Sequence, residues 1–145
     1  MSSTEITITP TEWEIMRMVW AEQTITSPKI LELSSNIFDW KSSTVKTLIG
    51  RLIDKGYLNK DTSVRPMLLT PAISEEEANY SRIDDKVSQM CTKDRGSLIT
   101  HLIEKNELSI DEIQEIIELL QEKKQTAPTT VKCLCPVGQC SCHIN

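Results

Sequence analysis

The 145-residue chain has only four glycines, two histidines and one phenylalanine, and aromatic residues make up 4% of it. No glycine-rich phosphate-binding loop can be assembled from those glycines. No grouping of Ser, His and Asp suggests nucleophilic catalysis, and no paired acids fall in a plausible cleft, so an enzyme is not expected. No segment approaches the roughly 18 uninterrupted apolar residues that span a bilayer. The opening "MSSTEITITPTEW" has neither the basic nor the apolar region of a secretory signal. These absences predict a cytoplasmic protein of one or two small domains. Cysteine is also scarce until residue 133: only Cys91 precedes it, and its place in a helical pattern predicts a small, partly buried packing residue.

Charge is unevenly spread. The net value is −5, yet residues 41–66 carry Lys41, Lys46, Arg51, Lys55, Lys60 and Arg65 against only Asp54 and Asp61. Residues 75–124 hold 13 acids and 7 bases. A locally basic stripe suffices for contact with phosphates, because only the face near them has to be positive.

Periodicity divides the chain into three parts: 1–73, 74–124 and 125–145. "TPTEWEIMRMVWAEQ" predicts a first helix, with Thr9 and Glu12 spaced as a capping box and Pro10 at the tolerated first position. Trp13, Ile15, Met16, Val19 and Trp20 give it a wide apolar face. Ser27–Pro28 opens a second helix carrying Ile30, Leu31 and Leu33. In "KSSTVKTLIGRLIDKG", Val45, Leu48, Ile49, Leu52 and Ile53 recur with helical spacing, and Gly56 stands where a helix-ending glycine belongs. Tyr57–Asn59 and Met67–Thr70 then predict two short strands around a basic turn, with Pro66 at the hairpin's edge.

Three helices and a hairpin, in that order, predict a mainly α winged helix-turn-helix. With its apolar stripe packed inward, the third helix presents Ser43, Thr44, Lys46, Thr47, Gly50 and Arg51 on its other face. Short hydroxyl side chains can approach base edges, Lys46 and Arg51 can meet phosphates, and Arg51 can grip a guanine edge. Gly50 costs about 1 kcal/mol of helix stability relative to Ala; close approach to DNA and helix-helix clearance both explain it. Lys60 and Arg65 would lie on the wing, over the backbone.

Helical spacing returns after Ser74. Tyr80, Ile83, Val87 and Met90 form one stripe, and Leu98, Ile99, Leu102 and Ile103 mark another helix. Ser109 and Glu112 make a second capping box, opening a helix with Ile113, Ile116, Ile117 and Leu120 on one face. So few one-sided helices predict a homodimer that buries these faces against a second copy. His101 lies among the apolar residues and is expected to be structural.

After the polar linker "QTAPTTVK", the tail "KCLCPVGQCSCH" supplies Cys133, Cys135, Cys140 and Cys142. In a reducing compartment, clustered thiols favour metal or redox chemistry over disulfides, and a thioredoxin-like redox pair would use CxxC. Four thiolates suit a tetrahedral Zn(II) and equally suit Cu(I). Side chains two apart in extended chain point to opposite sides, so each CxC must bend to chelate. "PVGQ" offers the turn, with Pro136 first of its central pair and Gly138 at its end. His143 reads as a bystander.

"TPTEWEIMRMVW", "SSTVKTLIGRLIDKGYL" and the following wing resemble the repressor family that includes the penicillinase and methicillin-resistance repressors, over residues 6 to 120. The resemblance implies an N-terminal winged helix on a palindromic operator and C-terminal helices that form the homodimer. Its β-lactam-responsive members are cut at an Asn-Phe bond; the single Phe38 follows Ile37, so that dipeptide is absent. With CxCx4CxC added, the chain is similar to the copper-responsive branch of the family. That likeness implies a Zn(II) form that represses copper-homeostasis genes, a Cu(I) form that releases the operator, and a cytosolic copper chaperone as Cu(I) donor. A family member sensing another thiophilic metal or thiol oxidation, and a metal-sequestering protein that never binds DNA, fit the same residues.

Overall fold

Helix α1 (Pro10–Glu22) begins where the Thr9–Glu12 spacing places it. Thr9 Oγ1 accepts from the Glu12 N–H and Glu12 Oε1 from the Thr9 N–H, both at 3.3 Å. The computed structural model describes residues 5–143, with His143 described by its backbone alone. Among the described residues it contains six α-helices and three strands, and it separates into two compact units, Met1–Ile83 and Asp84–Asn145.

The first unit continues with β1 (Ile25–Thr26), α2 (Ser27–Phe38), α3 (Ser42–Asp54), β2 (Leu58–Asp61) and β3 (Leu68–Pro71). Thr26 caps α2 by accepting from the Lys29 N–H at 3.3 Å, so the cap stands one residue ahead of Ser27. Helix α3 ends in a Schellman arrangement. The Tyr57 N–H reaches the Leu52 carbonyl and the Gly56 N–H that of Ile53, both at 3.0 Å, with Gly56 at φ +84°. Only glycine adopts that left-handed conformation without strain.

The sheet differs from the expected hairpin in three ways. β1 adds a third strand, so the order is β1-β3-β2, with Ile25 opposite Leu69 and Lys60 also opposite Leu69 on its other side. Two residues between helices carry no period from which a strand can be read. Each hairpin strand also lies one or two residues later than predicted, and Pro71 closes β3 opposite Leu58. Pro66 sits in the loop between strands rather than on an edge, and the Arg65–Pro66 peptide is cis.

Ile15, Met16, Val19, Ile30, Val45, Leu52 and Leu69 have no exposed surface and form the centre of this unit. Trp13 and Trp20 meet edge to face with centroids 5.3 Å apart, and the Trp20 Nε1–H donates to the Ile73 carbonyl at 2.9 Å. Helix α4 (Glu75–Ser88) buries Ala78 in the same core, and Arg82 lies over the Trp13 ring at 4.5 Å, a cation–π contact.

One charge lies within this core. Glu12 is fully buried, and Lys55 Nζ reaches its two carboxylate oxygens at 2.6 and 3.0 Å and the Thr7 carbonyl at 2.8 Å. Burial pushes the Glu12 carboxyl up, but hydrogen bonds from Lys55 and Thr9 outweigh it and hold the group below the ordinary carboxylate range. Lys55 therefore leaves the basic stripe counted from sequence: it neutralises an interior carboxylate instead of facing phosphate.

In the second unit, a 3₁₀ turn (Thr92–Asp94) leads into α5 (Arg95–Lys105) and α6 (Ile110–Lys124). The Ser109–Glu112 capping box is present in both directions, at 2.8 and 3.1 Å. Neither α5 nor α6 buries a single residue. Of the expected dimer residues, Tyr80, Ile83, Leu102, Ile113, Ile117 and Leu120 are exposed, while Val87, Met90, Leu98 and Ile116 are half-buried. His101 is exposed on α5, not packed among its apolar neighbours.

The first unit yields three stability predictions. Lys55→Met should cost about 3 kcal/mol in urea unfolding, the low end for breaking a buried ion pair, because Lys55 is 32% exposed. Adding Glu12→Gln should recover most of that loss. Because the folded Glu12 pKa lies below the unfolded one, the pair's contribution is complete above the unfolded value. It is lost as pH falls through the depressed folded value, so Glu12→Gln should flatten the acid limb of a stability–pH curve. Gly50→Ala should raise stability by about 1 kcal/mol, since a Cβ there meets nothing within 4 Å.

Candidate nucleic-acid interface and candidate metal centre

Helix α3 turns Val45, Leu48, Ile49 and Leu52 inward, which places Ser43, Thr44, Lys46, Thr47 and Arg51 in solvent on the opposite side. The Thr47 hydroxyl donates back to the Ser43 carbonyl at 3.0 Å, fixing its rotamer. Lys41 occupies the N-cap and no side chain caps this helix, so its first-turn N–H groups face outward without a protein acceptor of that kind. Gly50 is half-buried, but the open space around its missing Cβ removes helix-helix clearance as its reason. Lys60 is exposed on β2 and Arg65 in the loop that follows. Among the described residues no ion pair engages Lys46, Arg51, Lys60 or Arg65.

The cysteines form a second, separate constellation. All five are present as thiols. Cys133 Sγ lies 3.2 Å from Cys140 Sγ and 3.5 Å from Cys91 Sγ, and Cys91 Sγ lies 3.9 Å from Cys142 Sγ. The Cys135 N–H points at Cys133 Sγ at 3.4 Å, which folds the first CxC pair back on itself. The sulfurs of Cys91, Cys133, Cys135 and Cys140 all lie within 4.8 Å of one another. The turn between the pairs differs in detail from expectation. The Gln139 N–H bonds the Pro136 carbonyl at 3.2 Å, so Pro136 opens the turn and Gly138 is its second central residue, at φ +99°. A positive φ at that place is the requirement of a type II turn, which glycine meets.

Cys91 is buried, as a packing residue would be, but its sulfur faces the tail thiols instead of an apolar pocket. Beside it the Thr92 hydroxyl donates to the Lys132 carbonyl, holding the start of the tail. The contact spans 42 residues of chain, so no local spacing signals it. The His143 side chain lies outside the described residues.

This donor set fits a tetrahedral tetrathiolate metal. Bonds of roughly 2.3 Å to four sulfurs place those sulfurs about 3.8 Å apart; within the set Cys133 lies 3.2 Å from Cys140 and 3.5 Å from Cys91, and no pair is more than 4.8 Å apart. The cluster also resists holding negative charge without a cation. Burial, then hydrogen bonding to Cys133 and Cys140, pushes the Cys135 thiol up to about 12. Hydrogen bonds to Cys140 and Cys91, then burial, do the same for Cys142, again to about 12. Cys140, stabilised as thiolate by the Cys133 thiol, is lowered instead.

A three-helix and hairpin unit with an exposed polar face on α3, followed by helices and a cysteine cluster, defines a mainly α winged helix-turn-helix protein. The chain belongs to the penicillinase repressor family of DNA-binding transcriptional repressors, whose family model matches residues 8–122. It is 35% identical over 136 residues to a 16.5 kDa protein in the ptsI 3′ region of Latilactobacillus sakei, covering 94% of this chain and 93% of that protein. It is 28% identical over 116 residues to the methicillin resistance regulatory protein MecI of Mammaliicoccus sciuri, covering 80% of this chain and 94% of MecI. Among solved structures it is similar to the DNA-binding domain of the repressor BlaI, at 30% identity and a TM-score of 0.47, covering 53% of this chain and 93% of that one. The family match ends at residue 122, ahead of all four tail cysteines.

Because a metal ligand must be thiolate, metal uptake by thiols held this high must expel protons. Zinc titration of the reduced protein near neutral pH should release more than one proton per metal, measured calorimetrically in buffers of different ionisation enthalpy. Apparent affinity should weaken as pH falls.

Proposed function

We propose that this chain is a copper-responsive transcriptional repressor of the CopY type, acting on a palindromic operator as a homodimer. The observation that carries the proposal is a pairing: a penicillinase-repressor chain carries, beyond the family's matched region, four cysteines, of which Cys133, Cys135 and Cys140 gather with Cys91 into one thiol cluster and Cys142 stands beside it, its sulfur 3.9 Å from that of Cys91. A repressor needs an input, and the Asn-Phe site associated with β-lactam induction is absent from this sequence. The cluster supplies a soft-donor input in its place.

In this reading α3 reads DNA. Ser43, Thr44 and the uncapped N–H groups of the first turn meet backbone phosphate, where the helix dipole favours anions. Lys46 and Arg51 supply charge, and Arg51 alone has the planar fork that grips a guanine edge. Thr47 and Gly50 allow close approach to the groove, and Lys60 and Arg65 follow the backbone from the wing. The interface of α4, α5 and α6 with a second copy covers apolar residues that this chain leaves exposed, among them Ile83, Leu102, Ile113 and Leu120. A two-fold dimer requires a two-fold operator, with half-sites about one helical turn apart or a multiple of it.

The tail thiols hold Zn(II) in the repressing form and exchange it for the more thiophilic Cu(I) on induction, with a cytosolic chaperone as the donor. Thiolate favours Cu(I) over harder cations, and sulfur lone pairs let one thiolate serve two ions. The output is a coupling free energy between metal and operator, typically 1–3 kcal/mol. The same-family alternative, a repressor sensing a different thiophilic metal, differs only in which ion lowers operator affinity.

The deciding experiment is an anisotropy titration of the zinc-loaded dimer on a palindromic promoter fragment, with Cu(I), Cd(II) and extra Zn(II) added in separate series. Release by Cu(I) alone is expected; equal affinity in the apo, zinc and Cu(I) forms would exclude the switch. Arg51→Ala should weaken operator binding by about 1–3 kcal/mol and Lys46→Ala should lower the salt slope by about 1, both with unchanged metal uptake. Gly50→Ala, stabilising for the fold, should nonetheless weaken operator binding. Converting all four tail cysteines to Ser should leave operator binding insensitive to copper.

A further inference from the structure

Five thiols converge in the second unit, one more than a tetrahedral ion uses, and their positions are not equivalent. Cys91, Cys133, Cys135 and Cys140 form the set whose sulfurs all lie within 4.8 Å of one another. Cys142 is exposed and stands outside that set, with its sulfur 3.9 Å from Cys91. We propose that Cys91 is a zinc ligand, completing the site with Cys133, Cys135 and Cys140, and that Cys142 is the spare fifth thiol. The inference rests on the reading of the tail as a zinc site and changes its composition: three ligands come from the tail and one from the segment between α4 and α5.

Two observations and one entropic argument support this set over the four tail cysteines. Cys91 is buried at 7% exposure with its sulfur turned to Cys133 at 3.5 Å, the orientation of a ligand already in place. Its neighbour Thr92 fixes Lys132, the residue before the first tail cysteine, so the tail's entry is anchored independently of the sulfurs. Ordering of a first ligand by the surrounding fold lowers the entropy lost when the tail closes on an ion. Four CxC thiols on a polar linker have no such support.

The placement also gives the site something to hold. Cys91 follows the end of α4 by three residues, and α4 is the element that carries the chain out of the winged-helix core at Ala78. A zinc ion shared between Cys91 and the tail cross-links the tail to that segment. A site made of tail cysteines alone would close a small loop and fasten nothing else. In the Cu(I) form Cys142 can take the place of Cys91, so the two CxC pairs bind copper together and the cross-link opens. That exchange trades one thiolate for another, with one proton moving between them and no change in sulfur oxidation state.

The test uses the full reduced chain with Co(II) as a spectroscopic stand-in for zinc. Cys142→Ser should keep the wild-type thiolate-to-metal charge-transfer intensity, whereas adding Cys91→Ser to it, with no fifth thiol left to substitute, should lose about a quarter of it, four sulfurs falling to three. A quarter of the intensity lost in Cys142→Ser alone would overturn the role of Cys91 while leaving a zinc-binding tail intact. A wild-type chain that takes up no Co(II) would remove both the inference and the metal reading beneath it. Should Cys91→Ser fail to fold, timed alkylation of zinc-loaded wild-type protein decides the matter without a variant. Zinc should slow labelling of Cys91 beyond its metal-free rate while Cys142 labels as fast as before; Cys142 protected and Cys91 unchanged would refute the assignment.

Discussion

The buried contact between Glu12 and Lys55 sets how α3 presents the face proposed to read DNA. Glu12 belongs to the first turn of α1 and is also half of its capping box; Lys55 is the C-cap of α3. Joining them fixes the start of one helix against the end of the other, and Leu52 and Val45 then have one face on which to pack. The polar side of α3 points outward because the apolar side has no alternative. A buried ion pair is seldom a large net source of stability. Its value lies in register: a carboxylate without its ammonium cannot remain in that core as a charge, so arrangements that separate the two are strongly disfavoured.

The two units obey opposite packing logics. The first closes its own core around residues with no exposed surface, held by tryptophan edges and a sheet of three short strands. The second opens α6 with a capping box, starts α5 without a side-chain cap, and buries no residue of either helix. Capping is local and needs no partner; burial is not local and does. A capped α6 with uncovered isoleucines suits the homodimer proposed above, in which a second copy completes the core.

How legible these features were in the sequence follows the same division. Both capping boxes, the Gly56 terminator and the apolar stripe of α3 depend on residues within a turn or two of each other, and their spacing identifies them. β1 is two residues long and exists only because β3 pairs with it, so neither composition nor period reveals it. Lys55 looks like one more member of a basic stripe because its partner lies 43 residues away. Cys91 looks like a packing residue for the same reason: burial is legible from its helical surroundings, but the direction of its sulfur is set by a tail 42 residues later. Local chemistry is written in the spacing, and long-range pairing between single residues is not.

That difference bears on how a thiol cluster becomes a sensor. The CxC pairs supply softness and compactness, which decide what kind of ion the tail accepts. They do not decide what else changes when the ion changes. Raised thiols at Cys135 and Cys142 beside a lowered Cys140 describe a cluster that cannot gather several thiolates without a cation. A cation that bound there would have to displace those protons. In the sensor proposed above the signal has to travel beyond the tail, which requires a sulfur on another element. Cys91, at the junction that follows α4, meets this condition; the four tail thiols by themselves do not.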